Sequence, residues 1–178
     1  MEVQQRFFAA QFKLAEETQL PMFLHMRAAA ADFVRILKEN VGSFNGGVMH
    51  SFTGTDDEPS DLLQIDNVAI GVNGCSMKTA DNLAVVARIP ADRLMVETDC
   101  PCCDIRSTHA SKPLVRTAFE AKDKRKHSGS CMVKGRNEPC TVRQVMEAVA
   151  AVMGQDEVLL SETVWQNTTD MFFAPSAK

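Results

Sequence analysis

The chain has 178 residues, of which 45% are hydrophobic, and its formal net charge is −4. This length and apolar content suffice for one domain with a sizeable core. No apolar run approaches the roughly 20 residues that a membrane-spanning helix needs, and no signal peptide precedes the chain. Of six cysteines only Cys100, Cys102 and Cys103 form a cluster, and it suits neither a zinc ribbon nor a thioredoxin-like centre, so free thiols are expected. We therefore expect no membrane association and an intracellular location, in the nucleus, the cytoplasm or both.

The first hundred residues alternate between helical patterns and short apolar runs. An opening helical pattern places Phe8, Phe12 and Ala15 on one side. Four apolar runs follow, with starts 22 to 25 residues apart, at residues 21–26, 46–51, 68–73 and 93–98. Runs that are apolar on both faces are typical of parallel strands covered on both sides, and the segments AADFVRILKEN and DNLAVVARI between them have helical spacing. The order predicts an α/β fold with four parallel strands.

The pattern changes after the fourth run. Residues 102–137 show little periodicity and predict a long irregular loop, which in a compact domain is usually functional or disordered. Residues 141–154 return to helical spacing, with Thr141 as the predicted N-cap and Gly154 as the stop. A last helix is predicted over residues 156–173, and its Trp165 is expected in the core or between helices.

The charge is distributed unevenly along the chain. Between Arg106 and Arg136 there are nine Lys/Arg but only two acidic residues, a net charge of +7 that leaves −11 for the remainder. Such a segment attracts polyanions such as nucleic acid. The alternative is a solvated loop with no partner, which is the commoner meaning of a lone basic run.

Three ionisable residues stand at the carboxyl ends of three predicted strands. They are His25, His50 and Asp99, and ligands gather at this edge of a parallel sheet. Imidazole and carboxylate together suit zinc, manganese, iron or magnesium, so the pattern favours a metal site over structural histidines. Glu97 is interpreted as structural, facing away from its neighbour and orienting the loop.

Five segments, in this order, resemble the TatD-type deoxyribonucleases of the metal-dependent hydrolase superfamily: LPMFLHMR, GGVMHSFTGT, IGVNGCSMKT, IPADRLMVETDCP and GRNEP. The match runs through almost the whole chain, and the basic stretch from Ser107 looks more like the eukaryotic branch than the bacterial one. The resemblance implies a TIM-type (β/α)₈ barrel that hydrolyses DNA as a 3′→5′ exonuclease in repair or fragmentation. It also implies divalent metal ions (Mg²⁺, Mn²⁺ or Zn²⁺) as cofactors and DNA as the partner.

The resemblance assigns roles to individual positions. His25 and His50 match metal-binding histidines, and Asp99 matches the catalytic aspartate that binds metal and helps to activate the attacking water. Arg27 lies two residues after His25 and could clamp a phosphate or form a salt bridge to a neighbouring loop. His109 and Arg136 lie in the basic loop and are expected to contact the DNA backbone, although residues 136–139 could instead cap the following helix.

The chain departs from the family in one respect. A TIM-type barrel closes with eight strands, and only four are predicted here. Neither the H-x-H of the first strand nor the G-E-x-G-L-D segment is present. We therefore expect one domain over residues 1–178 that corresponds to the C-terminal half of the barrel with its C-terminal helices, and that is apparently truncated at its N-terminus. Such a half-barrel is expected to self-associate or to be poorly stable, with little nuclease activity.

Two other functions remain open at the level of sequence. A metal hydrolase acting on a small amide or ester would have no use for the basic loop. A non-catalytic half-barrel that binds nucleic acid or a partner chain is favoured by the absent ligand segments.

Overall fold

The computed structural model describes residues 2–54 and 58–173. Four strands, β1 (Met22–His25), β2 (Gly47–His50), β3 (Val68–Val72) and β4 (Leu94–Val96), form one sheet. Every neighbouring pair is parallel and the order is β1-β2-β3-β4, with His25 directly opposite His50 in the register. The four strands lie within the four predicted runs. The α/β prediction with a parallel sheet is confirmed.

Helices connect and cover the strands. They are α1 (Glu2–Thr18), α2 (Ala30–Glu39), α3 (Glu58–Leu63), α4 (Ala80–Val86), α5 (Val142–Met153) and α6 (Glu157–Phe172). On α1, Phe12 and Ala15 are buried as predicted, and Phe8 stacks on Phe33 of α2. Thr79 caps α4 in a reciprocal capping box with Asn82. Helix α3 was not predicted, because its six residues are too short for a periodic pattern. None of the described helices is both long and apolar enough to cross a membrane.

The two C-terminal helices differ from expectation at two residues. Thr141 precedes α5, but its hydroxyl donates to Asn137 Oδ1 at 2.6 Å instead of capping the helix. Gly154 ends α5 in the left-handed conformation, as predicted. Trp165 is 71% exposed, so its expected place in the core is wrong. It shares a helix face with exposed Val158, opposite the face that buries Leu160 and Val164.

The segment predicted as an irregular loop contains short regular elements. Two-residue strands β5 (Ala121–Lys122) and β6 (Met132–Val133) pair in parallel, and Lys124–Lys126 forms a single 3₁₀ turn. The Asp123 carboxylate caps this turn by accepting from the Arg125 N–H at 3.0 Å. The three basic side chains of the turn are exposed. The basic segment, residues 106–136, therefore has local secondary structure, and its 3₁₀ turn exposes positive charge to solvent.

Buried Glu147 on α5 binds the N-terminal half of the basic segment. Its carboxylate accepts from the backbone N–H groups of Arg116 and Thr117, from the Thr117 hydroxyl and from Arg143. Burial alone would raise the pKa of Glu147, but these hydrogen bonds outweigh it and lower the pKa to about 2. The ionised carboxylate thus stabilises the folded chain.

This network predicts a pH-dependent stability. Because the pKa of Glu147 is about 2 when folded and 4.5 ordinarily, its contribution is present above about pH 4.5 and is lost as the pH falls toward 2. We expect Glu147→Gln to lower the free energy of unfolding by roughly 3 kcal/mol at neutral pH. The deficit should shrink on acidification in urea unfolding curves. The control is Glu39→Gln, which removes an exposed pair with Arg35. Equal stabilities, or a deficit that does not change with pH, would contradict this role.

Candidate metal and nucleic-acid site

The three predicted site residues come together at the carboxyl edge of the sheet. The rings of His25 and His50 lie side by side, with centroids 5.6 Å apart. Asp99 Oδ1 lies 3.6 Å from His50 Nε2. A metal bond to nitrogen or oxygen is about 2 Å long, so one cation can reach both of these atoms. His25 and Asp99 thus each lie close to His50, whereas the convergence of all three on one metal ion stays a prediction.

The described residues contain no preformed metal cluster. Among the described residues no group of three or more His, Cys, Asp or Glu side chains is close enough to hold an ion. His25 is exposed, while His50 is only 15% exposed in its side chain. His50 and Asp99 are therefore the better-organised pair, and they line an open cleft together with Phe23, Thr98 and Pro139.

Glu97 belongs to this site, contrary to its interpretation as a residue that faces away. Its Oε2 lies 2.7 Å from His50 Nδ1, and its Oε1 accepts from the Ser51 N–H at 2.6 Å. The second contact does orient a loop, as predicted. Sequence reasoning turned Glu97 away from Asp99 by strand alternation, but β4 ends at Val96, so that alternation does not extend to Glu97.

The backbone is strained where the strands meet the site. Ser51, Asp99 and Cys103 have positive φ angles of 52°, 50° and 54°, which residues other than glycine seldom adopt. Such conformations cost about 1–3 kcal/mol each and cluster at functional sites. Nothing in the residue types announces them, so sequence analysis could not find them.

Asp99 has a second partner, the Cys103 thiol, which donates to Asp99 Oδ2 at 3.1 Å. Burial raises the pKa of Cys103, and hydrogen bonds to Cys75 and Asp99 raise it further. The thiol therefore stays protonated and remains a donor. Each Asp99 oxygen thus has a different neighbour, Cys103 at Oδ2 and His50 at Oδ1.

Two of the predicted DNA-contacting residues are accessible. Arg27 is exposed in the segment that follows β1. Arg136 is about half exposed and donates to Glu138 Oε1 at 2.8 Å, so part of its charge is already paired. That ion pair lowers the pKa of Glu138. The next residue, Asn137, donates to the carbonyls of Thr98 and Cys102 and fastens the end of the basic segment beside the site.

His109 lies in the wrong environment for the role predicted for it. Its residue is only 8% exposed, and the adjacent Ala110 N–H donates to the Lys78 carbonyl. Burial lowers the pKa of His109, and the charges of Lys78 and Arg106 lower it further. A buried, neutral ring does not reach a DNA phosphate. The expected contact of His109 with the DNA backbone is therefore corrected to a packing role.

Comparisons with known proteins identify the family of the chain. A family model described as TatD related DNase matches residues 1–173. Deoxyribonuclease Tat-D of Schizosaccharomyces pombe is 40% identical over 173 residues, which are 96% of this chain and 55% of the relative. The 3′-5′ ssDNA/RNA exonuclease TatD of Dickeya dadantii is 35% identical over 95% of this chain and 57% of its own length.

Solved structures give the same result. A TatD family hydrolase from Entamoeba histolytica aligns with a TM-score of 0.91 at 28% identity, over 98% of this chain and 58% of that one. An uncharacterized amidohydrolase from Saccharomyces cerevisiae aligns with a TM-score of 0.86 at 36% identity, over 96% of this chain and 60% of that one.

The sheet, the C-terminal helices and these alignments define the class as hydrolases of the TatD fold. The chain belongs to the TatD related DNase family. It spans about 55 to 60% of the length of these relatives and structures.

Proposed function

We propose that this chain carries part of the active site of a divalent-metal-dependent deoxyribonuclease that cleaves DNA phosphodiesters in the 3′→5′ direction, in repair or fragmentation. The observation that supports it most is the approach of His50 Nε2 to Asp99 Oδ1, 3.6 Å, at the carboxyl edge of a parallel sheet. The family relationship adds the substrate class, because the relatives are named as deoxyribonucleases and exonucleases.

Within this proposal each residue has a distinct task. His50 and Asp99 would hold the cation, with His25 as a further ligand. When bound, Mg²⁺, Mn²⁺ or Zn²⁺ lowers the pKa of a coordinated water and offsets charge on the phosphoryl oxygens. Asp99 accepts the proton of the attacking water, since its carboxylate lies at the rim of the open cleft.

The basic segment and Arg27 are proposed to hold the DNA backbone. Lys124, Arg125 and Lys126 stand together on one capped 3₁₀ turn, all exposed. Arg136 lies beside the site because Asn137 is bonded to the segment after β4. A small neutral substrate has no use for a segment of net charge +7, which weakens the proposal of a small-molecule hydrolase.

We also propose an intracellular, reducing location in the nucleus or cytoplasm. Supporting it, all six cysteines are free thiols, although Cys75 and Cys103 are neighbours.

Metal binding is tested by variants of the site. We expect His50→Ala and Asp99→Asn each to weaken Mn²⁺ binding at least 10-fold in a calorimetric or spectroscopic titration, because each removes a direct ligand. His50→Ala should weaken it more than Glu97→Ala does. His127→Ala, an exposed histidine of the basic segment, is the matched control and should bind as the unaltered chain does. Equal affinities for His50→Ala and the control would reject the ligand assignment. A chain that binds DNA but no metal would favour the non-catalytic alternative.

DNA binding is tested by its dependence on salt. Reversing the charges of Lys124, Arg125 and Lys126 should make the slope of log K against log[salt] shallower by about 2 to 3, since roughly one counterion is released per neutralised phosphate. The same reversal at exposed Arg6, Lys13 and Lys38 on α1 and α2 is the control. Affinity should vary little with base sequence. If both triple variants keep the original slope, the basic segment is only a solvated loop.

We further propose that the 178-residue chain associates with itself when it is expressed alone. β1 and β4 are the two edges of the described sheet, and Phe23 on β1 is 65% exposed. The helices next to these edges also expose apolar stripes, Val3, Phe7 and Leu14 on α1 and Val158 and Trp165 on α6. Open strand edges and uncovered apolar surface favour association.

Light scattering over a dilution series tests this proposal. We expect oligomers that dissociate on dilution, and a shift toward monomer when Phe7 and Trp165 are both changed to Glu. We also expect weaker DNA cleavage by this chain than by a longer version that carries upstream barrel strands. A stable monomer that cleaves DNA as fast as the longer version would show both expectations to be wrong.

A further inference from the structure

The Glu97 carboxylate ties three strand ends together. From the end of β4 it contacts His50 Nδ1 at the end of β2, at 2.7 Å. Its other oxygen accepts from the Ser51 N–H at 2.6 Å and from Asn73 Nδ2, just after β3, at 3.0 Å. Gly71 makes room for it, because a Cβ at that position would lie 3.1 Å from Glu97 Oε2 and 3.2 Å from the Met49 carbonyl.

The donors around Glu97 Oε1 are fixed by covalent structure or by other bonds. The Ser51 N–H is a backbone donor and cannot accept. Asn73 is fully buried, and its Oδ1 accepts from the Cys75 N–H at 2.8 Å, so its amide nitrogen faces Glu97. Oε1 must therefore be an acceptor, whatever residue occupies position 97. Whether the atom that faces His50 Nδ1 accepts or donates a hydrogen bond then depends on the side chain at position 97.

We propose that Glu97 is a positioning residue that sets the tautomer of His50. A carboxylate can only accept, so the neutral ring carries its proton on Nδ1 and leaves the Nε2 lone pair on the side of Asp99. A second partner of this kind fixes both the orientation and the tautomer of a metal-binding histidine. This inference rests on the proposed function only in that Nε2 is the nitrogen meant for the cation.

Glu97→Gln should reverse the tautomer. The glutamine oxygen must face Ser51 and Asn73, because both of these residues donate. In the opposite orientation the glutamine NH₂ would face these two donors, whereas in this one it faces only the His50 ring. The NH₂ then faces His50 Nδ1, which must become an acceptor, so the proton moves to Nε2. The Nε2 lone pair is lost, although the side chain keeps its size and most of its contacts.

Long-range ¹H–¹⁵N NMR on metal-free, ¹⁵N-histidine-labelled protein measures the tautomer directly. The chain has four histidines, and His50 is assigned by the signal that His50→Ala removes. Across a pH series that includes the neutral ring, we expect the Nδ1–H form in the unaltered chain and the Nε2–H form in Glu97→Gln. Glu39→Gln, an exposed glutamate on α2, should leave the unaltered pattern.

The outcomes separate the inference from the proposed function. An Nε2–H ring in the unaltered chain, or an Nδ1–H ring in folded Glu97→Gln, overturns the positioning role, and the first result does not depend on whether Glu97→Gln folds. With the tautomers as expected, Mn²⁺ affinity should fall 10- to 100-fold in Glu97→Gln. Tautomers as expected without Mn²⁺ binding by any form, the unaltered chain included, would sink the metal proposal and leave the positioning role standing.

Discussion

The geometry of the site depends on one partly buried carboxylate. Glu97 joins the ends of β2, β3 and β4 through His50, Ser51 and Asn73, and it is only 18% exposed in its side chain. The same contact supports Ser51 in its left-handed conformation, since the Ser51 N–H donates to Glu97 at 2.6 Å. Removing one partner from such a network leaves buried polar groups unpaired. The positions of His50 and Asp99 are therefore linked through the strand ends and not through direct contact alone.

The parallel sheet could be predicted from the sequence for a simple reason. Strand β3, VAIGV, is buried at all five residues, and short runs that are apolar throughout are typical of strands covered on both faces. Once the strands are parallel, their carboxyl ends meet at one edge, so His25, His50 and Asp99 had to lie near one another. Local polarity and spacing determine all of these features.

The wrong predictions concern residues whose environment is determined by tertiary contacts. Trp165 sits on a helix whose buried face is set by Leu160 and Val164, and no local pattern distinguishes that face from the opposite one. His109 lies in a basic segment of the sequence, which suggested an exposed residue, yet it is buried beside residues that follow β3. The Glu97 role needed knowledge that His50 lies within hydrogen-bonding distance of it, a contact between residues 47 positions apart in the chain. These are non-local contacts, and a single sequence does not record them.

The central claim is that His50 and Asp99 share a cation at the carboxyl edge of the sheet. Anomalous diffraction from crystals grown with Mn²⁺, recorded above and below the manganese edge, locates the ion directly. We expect a peak within about 2.5 Å of both His50 Nε2 and Asp99 Oδ1, with Glu97 still bonded to Nδ1. A peak elsewhere in the chain, or none at a saturating concentration, would contradict it.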